Sequence, residues 1–184
     1  INIYQGETDG SFTFWDDINT STTYVEQVEI ADINLDGKLD IIVAHGDTDN
    51  IEVFIQHNDN SFLSSQFIAN ELAPTSITGL SLTDLNNDQL PDLVYLDEVG
   101  KSLFAHLNNG NDTFGPRSSY ILTGPPTSLT TNDFNGDGFQ DIIATIGIEN
   151  KVTLFLGKGD GTFQTPKDFS TGNNPIGILA LPID

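Results

Sequence analysis

Residues 133–145 read DFNGDGFQDIIAT, with acidic or amide side chains at alternate positions, two glycines and then a β-branched run. Nearly the same pattern stands at residues 32–44, DINLDGKLDIIVA, and at residues 84–96, DLNNDQLPDLVYL. The three stretches start at Asp32, Asp84 and Asp133, at spacings of 52 and 49 residues. A second motif moves in step with the first. GETDGSF ends at Phe12, HNDNSF at Phe62, NGNDTF at Phe114 and GKGDGTF at Phe163, at spacings of 50, 52 and 49. Two motifs in phase along the whole chain define a repeat of about 50 residues.

Each repeat reads as four short strands. The first precedes the acidic loop (VEQVEIA, ITGLSLT, PTSLTTN) and the second follows it (DIIVA, DLVYL, DIIAT). The second is almost wholly apolar, which predicts burial on both faces. The third alternates (IEVFIQH, SLFAHLN, KVTLFLG), with Val152, Leu154 and Leu156 on one side. An Asn/Asp/Gly turn before each Phe then returns the chain as a more polar fourth strand, because Gly and Asn tolerate the positive φ of tight hairpins. No convincing helical period is present. The expected fold is all-β, with propeller-type blades of four antiparallel strands. Three blades are complete and partial ones stand at both ends. The expected divisions are 1–23 for the second half of a partial blade, 24–73, 74–123 and 124–172 for complete blades, and 173–184 for the first strand of a further blade.

The run from DFNGDGFQDIIAT to VTLFLGKGDGTF resembles the FG-GAP/VCBS repeat, the blade of integrin-α-like β-propellers. The resemblance covers essentially the whole chain. The third loop matches best and the first well, whereas the second has Gln89 where the family usually has Gly.

Alternate residues of a tight loop can aim oxygens at one centre. In the third loop these are Asp133, Asn135, Asp137, the carbonyl of Phe139, and Asp141. The equivalent sets are Asp32, Asn34, Asp36, Lys38 (carbonyl) and Asp40, then Asp84, Asn86, Asp88, Leu90 (carbonyl) and Asp92. Hard oxygens in this number suit Ca²⁺ better than Mg²⁺, which prefers a small octahedral cage with retained water. The pattern resembles the first nine positions of an EF-hand loop, with a strand following in place of the closing Glu. About three Ca²⁺ per chain are expected. Without a cation, three carboxylates in one loop repel each other. The plainer alternative is that Asp, Asn and Gly form turns with no metal at all. At its turn position Gln89 must take positive φ at a cost or the loop must rearrange, so the second loop is expected to bind most weakly.

Composition narrows the function. Six Lys and Arg against 27 Asp and Glu give a net charge of -21, which argues against nucleic acid and anionic membranes as partners. Cysteine is absent, so disulfides and Cys-based zinc sites are excluded. No apolar run approaches the roughly 20 residues of a membrane-spanning helix. His45, His57 and His106 are scattered and read as surface or strand residues. Trp15 reads as packed between strands. The pairs Asp16–Asp17 and Asp97–Glu98 read as solvated surface. No nucleophile elbow or triad is recognisable, so the chain is expected not to be an enzyme. Asn19 and Asn111 each open an N-glycosylation sequon.

The sequence begins at Ile1 without a methionine or a signal-like segment, and reads as a window cut from a longer array. The segments Ile1 to Gln5 and Ile176 to Leu181 are expected to pair with each other, with another copy or with a continuation of the chain. Asp184 stands where a fourth acidic loop would begin. The resemblance implies a calcium-stabilised, secreted or cell-surface module for adhesion or for protein or glycan binding. Two alternatives stand beside it: repeats that self-assemble into a filament, sheath or surface layer, and the accessory region of a larger secreted enzyme.

Overall fold

The apolar run after each acidic loop becomes the most deeply buried strand of a four-stranded antiparallel sheet. This is seen in a computed structural model that describes residues 1–22, 24–46, 50–59, 61–69 and 76–180, the side chains of Ser65 and Ala69 aside. The first sheet holds β3 (Val25–Ala31), β4 (Asp40–His45), β5 (Asn50–Gln56) and β6 (Phe62–Ala69). The second holds β7 (Ile77–Thr83), β8 (Asp92–Asp97), β9 (Ser102–Asn108) and β10 (Phe114–Ile121). The third holds β11 (Ser128–Asn132), β12 (Asp141–Ile146), β13 (Lys151–Phe155) and β14 (Lys167–Ser170). In each sheet the strands lie in chain order, every neighbour antiparallel. A two-stranded hairpin of β1 (Asn2–Gly6) and β2 (Phe12–Asp17) precedes them. The helical content among the described residues is one 3₁₀ turn, Gly147–Glu149. The chain is therefore all-β, built of propeller-type blades.

The three cores lie between sheets. Side chains alternate across a strand, so one strand supplies two cores. On β4, Ile41 and Val43 pack toward the β1–β2 hairpin, with Phe54 and Ile18. Ile42 and Ala44 of the same strand face the second sheet, meeting Leu93, Tyr95 and Phe114. On β8, Val94 and Leu96 face the third sheet, meeting Ile142, Phe155 and Phe163. All residues of β4 and β8 are buried, as their continuous apolar sequence predicts.

The third sheet departs from expectation on its last side. Thr153 and Phe155 are the buried residues of β13, packed toward the second sheet, whereas Val152, Leu154 and Leu156 are half-buried on the opposite side. Nothing among the described residues covers that side as fully. The strand expected over Ile176–Leu181 does not form through Ala180, and residues 181–184, including Asp184, lie outside the described residues. Its counterparts β3, β7 and β11 each pair with the strand that follows an acidic loop.

Candidate functional site

Each acidic loop joins the first strand of a sheet to the second, and the three are folded alike. The first Asp caps the turn with both oxygens. Asp32 Oδ1 accepts the Asp36 N–H (3.0 Å) and Oδ2 the Gly37 N–H (2.8 Å). Asp84 accepts from Asp88 and Gln89 (3.2 and 2.9 Å), and Asp133 from Asp137 and Gly138 (3.2 and 2.9 Å). The third-position amide oxygens of Asn34, Asn86 and Asn135 accept the same fifth-residue N–H, at 3.1, 3.1 and 2.8 Å. The fifth-position carboxylates of Asp36, Asp88 and Asp137 accept from Lys38, Leu90 and Phe139, at 3.0, 2.9 and 2.9 Å.

Bending nine residues this way needs positive φ twice. The sixth position has Gly37 at 87°, Gln89 at 74° and Gly138 at 87°. Gln89 thus adopts the strained conformation, and the second loop keeps the hydrogen bonds of the others. The fourth position is also left-handed, with Leu35 at 59°, Asn87 at 61° and Gly136 at 77°. Gly136 signalled this position in the sequence. Leu35 gave no such signal, because leucine rarely visits that region.

The ninth residue behaves differently from the rest. Asp40, Asp92 and Asp141 are completely buried. One oxygen of each accepts the N–H of the second loop residue: Ile33 (3.0 Å), Leu85 (2.8 Å) and Phe134 (3.0 Å). The other accepts an N–H at or just beyond the end of the third strand: Gln56 (2.9 Å), Asn108 (2.8 Å) and Gly157 (2.8 Å). This Asp therefore bolts the loop to the sheet. Burial raises the pKa of Asp40, and raises that of Asp92 to about 6 against the pull of its two N–H donors. The neighbouring carboxylates Asp88 and Asp84 push Asp92 in the same direction. At the exposed rim the shifts reverse. The Gly138 N–H, followed by those of Gly136 and Asp137, lowers the pKa of Asp133, and Lys38 lowers that of Asp36.

The donor set bears on a metal. Among the described residues no three His, Cys, Asp or Glu side chains converge into an ion-sized cluster. The carboxylates are turned onto their own backbone N–H groups instead. Yet the first, third and fifth side chains of each loop all turn into one bend and each offers a hard oxygen, the chemistry that Ca²⁺ selects. The seventh-position carbonyls of Lys38, Leu90 and Phe139 belong to the same bend.

The loops also join neighbouring sheets, which the sequence did not announce. The second loop residue plugs into the next sheet: Ile33 is 2% exposed and Leu85 3%, whereas Phe134 is 36% exposed. Asn108 Nδ2 donates to the Ile33 carbonyl (2.8 Å), and the Gly161 N–H donates to the Leu85 carbonyl (3.0 Å). Asn34 Nδ2 reaches Asp112 Oδ1 (2.8 Å) at the next hairpin tip. The available signal was an apolar second position in all three loops. The tips are built alike as well. Asp9, Asp59 and Asp160 each accept the hydroxyl of Ser11, Ser61 and Thr162 at 2.6 Å, and Asn111 accepts that of Thr113 at 2.6 Å. Asn111 and Asn19 are both exposed.

Of the histidines, only His57 is at the surface. His45 is completely buried, with Nδ1 2.9 Å from Thr22 Oγ1 and Nε2 3.1 Å from Glu52 Oε2. It ties the segment after β2 to the first sheet. His106 is buried and stacks on Tyr95 at 5.8 Å, and burial lowers its pKa. His106 occupies the position of Phe54 and Phe155, and His45 that of Asp97 and Ile146, all of them buried, so their depth follows from the repeat register and not from their chemistry. Asp97, read as surface, is also buried and accepts the Gly100 N–H at 2.9 Å. Trp15, expected to be packed between strands, makes an edge-to-face contact with Phe62 at 6.1 Å but stays 39% exposed. No helix among the described residues is long and apolar enough to cross a membrane.

Comparison with known proteins agrees with this architecture. Integrin alpha-3 of Mus musculus is 29% identical over 121 residues, covering 57% of this chain and 11% of the integrin. Cartilage acidic protein 1 of Xenopus tropicalis is 26% identical over 176 residues, covering 85% of this chain and 27% of that protein. The chain thus spans a small part of each relative's length. Among solved structures, a Lactobacillus plantarum protein superposes with a TM-score of 0.70 at 11% identity, over 96% of this chain and 50% of its own. An Agrocybe aegerita lectin that recognises non-reducing terminal N-acetylglucosamine gives 0.62 at 20% identity, over 93% and 46%. The FG-GAP-like repeat model matches residues 1–43, 32–95, 84–144 and 133–184 in overlapping copies, and the chain belongs to that repeat family.

Proposed function

We propose that this chain is a calcium-stabilised, non-catalytic binding module of the cell surface or extracellular space, in which each acidic loop takes one Ca²⁺. The observation that carries the reading is the threefold loop itself. Three sequences that differ at the second, fourth and sixth to eighth positions hold one backbone path, each with three acidic residues and one amide at the same places. Asp32, Asn34, Asp36, the Lys38 carbonyl and Asp40 would hold the first ion, and the equivalent residues of the other loops the second and third. Bound calcium would supply positive charge to a chain of net charge -21. The residues themselves set the bend, bury the apolar second residue of the first two loops and fix the sheet edge through the buried ninth Asp.

The likeness to an integrin subunit and a cartilage protein supports an extracellular setting, and the sugar-recognising lectin of like fold supports a glycan ligand. Self-assembly is the second reading, favoured by the exposed aromatic side chains Tyr4, Phe12 and Phe14 on the outer side of the first hairpin. The exposure of Asn19 and Asn111 supports glycosylation of the secreted protein.

Isothermal titration of the chelated, desalted protein tests the metal reading. About three Ca²⁺ per chain are expected, falling to about two in Asp137→Ala with the remaining sites little changed. No calcium uptake by calorimetry and elemental analysis would sink it.

A further inference from the structure

The core between the first two sheets holds a titratable ring where the two other cores hold phenyl rings. His106 stands at the register position of Phe54, in the core beside the first hairpin, and of Phe155, in the core between the second and third sheets. The same register puts it between the first and second sheets, 6% exposed and stacked on Tyr95. Its Nδ1 lies 2.8 Å from the Gly115 carbonyl. A carbonyl only accepts, so Nδ1 carries the proton of the neutral ring. Nε2 is then a bare acceptor, buried and with no hydrogen-bond partner among the described residues.

A second proton would have to sit on that Nε2, with no acceptor for it. The charged group beside the ring is Arg117, its partner across β9 and β10, with the guanidinium 4.8 Å over the Phe104 ring. Arg117 also bonds Tyr95, the titratable group that β8 presents here. From the first sheet β5 and β6 present Val53, Ile55 and Ile68, with the Gln66 amide, and no counter-ion. The buried carboxylates nearby are already engaged: Asp40 and Asp92 by backbone N–H groups, Glu52 by His45 and Ser21. An imidazolium in this place is desolvated, unpaired and faces a like charge.

The ring also supports a joint between sheets. β10 is irregular between Phe114 and Arg117, where Pro116 has no N–H to give. Gly115 is held there by His106, and the N–H and carbonyl of Phe114 by Gln66 of the first sheet, at 2.6 and 3.1 Å. We propose that His106 is an acid-sensitive latch. Its protonation drives the ring out of the core and frees the Phe114–Gly115 segment from Gln66, so that the first two sheets part while the second and third stay packed. The device lies outside the acidic loops and does not depend on bound calcium.

Burial holds the folded-state pKa of His106 below its ordinary 6.5, with Arg117 acting in the same direction and the Gly115 hydrogen bond opposing. The unfolded chain therefore takes up the proton first. Stability is whole above 6.5 and is lost as pH falls from there toward the folded pKa.

The test sets the native chain against His106→Phe in chelator, between about pH 7.5 and 5. Phenyl suits the site, as Phe54 and Phe155 show, and every other titrating group is common to both proteins. In urea unfolding, the folded-to-unfolded ratio of the native chain relative to the variant should fall by up to about tenfold for each pH unit below 6.5. Hydrogen exchange of the native chain, corrected for the intrinsic effect of pH, locates the opening: the Phe114 N–H should lose protection on acidification before the amides of β12. A relative ratio that stays constant over this range would overturn the proposal, as would β12 amides that open as early as Phe114. Should His106→Phe fail to fold, exchange and a ring titration by NMR on the native chain decide the matter, and a ring that takes its proton at or above 6.5 rejects the latch.

Discussion

At Gln89 and Leu35 the backbone visits a region that costs a side chain about 1–2 kcal/mol. An added Cβ at the equivalent glycines, Gly37, Gly138 and Gly136, meets nothing within 4 Å. The penalty is therefore in the backbone alone, and glycine should recover most of it. Gln89→Gly should raise stability by about 1 kcal/mol in chemical denaturation and tighten calcium binding at the second loop; an unchanged midpoint would contradict this. Leu35→Gly should act similarly on the first loop. Asp92 gives a pH dependence whose sign is fixed by burial. Its folded pKa, about 6, lies above its unfolded value near 3.8, so the folded state binds the proton more tightly. The destabilisation is fully present above the folded pKa and is relieved as pH falls through it. In chelator, the melting temperature of the native chain relative to that of Asp92→Asn should therefore rise between pH 7.5 and 5.5; the buried His106, whose pKa is lowered, pulls the other way in both proteins and cancels in the difference. The lowered pKa values of Asp133 and Asp36 act only in more acid solution. A difference that falls over this range would refute the assignment.

Among the elements, the loop-to-sheet junction concentrates the energy. Asp92 receives two N–H donors with its two oxygens. Asp92→Asn sets an NH₂ donor against one of them and should cost about 1–3 kcal/mol. Leu85→Ala empties a buried plug and should cost about 2–5 kcal/mol, whereas Phe134→Ala, at a partly exposed plug, should cost well under half as much. Equal losses at the two positions would mean that the second loop residue does not serve as a plug. The strand pattern was readable because two periodicities coincided: the apolar runs at 41–44 and 93–96, and the 50-residue spacing of the hairpin tips. The loop bend was readable from Gly37 and Gly138. What stayed hidden was everything decided between repeats. The depth of His45, His106 and Asp97 depends on which sheet stands beside them, and no local pattern carries that. The double duty of Asp40, Asp92 and Asp141 was hidden too. An Asp at the start of a strand looks the same in sequence whether or not its oxygens also hold the N–H groups of its own sheet.

For the whole molecule, each sheet leans only on its neighbours, so stability is close to a sum of sheets and interfaces. Asn108 is the clearest joint. Its amide donates to the Ile33 carbonyl of one repeat and to the Pro91 carbonyl of its own. The same residue's N–H is held by Asp92. A force that pulls the first two sheets apart therefore loads both acidic loops, alongside the amides of Gln27 and Gln66, which each hold a backbone N–H and carbonyl of the second sheet. Those loops are short, doubly capped and, when charged by an ion, stiffer still. With calcium bound as proposed, the chain would behave as a string of hinges whose compliance is set by salt composition. In calcium it would transmit tension as a rod, and in its absence it would flex at each joint, with the weakest hinge at Gln89.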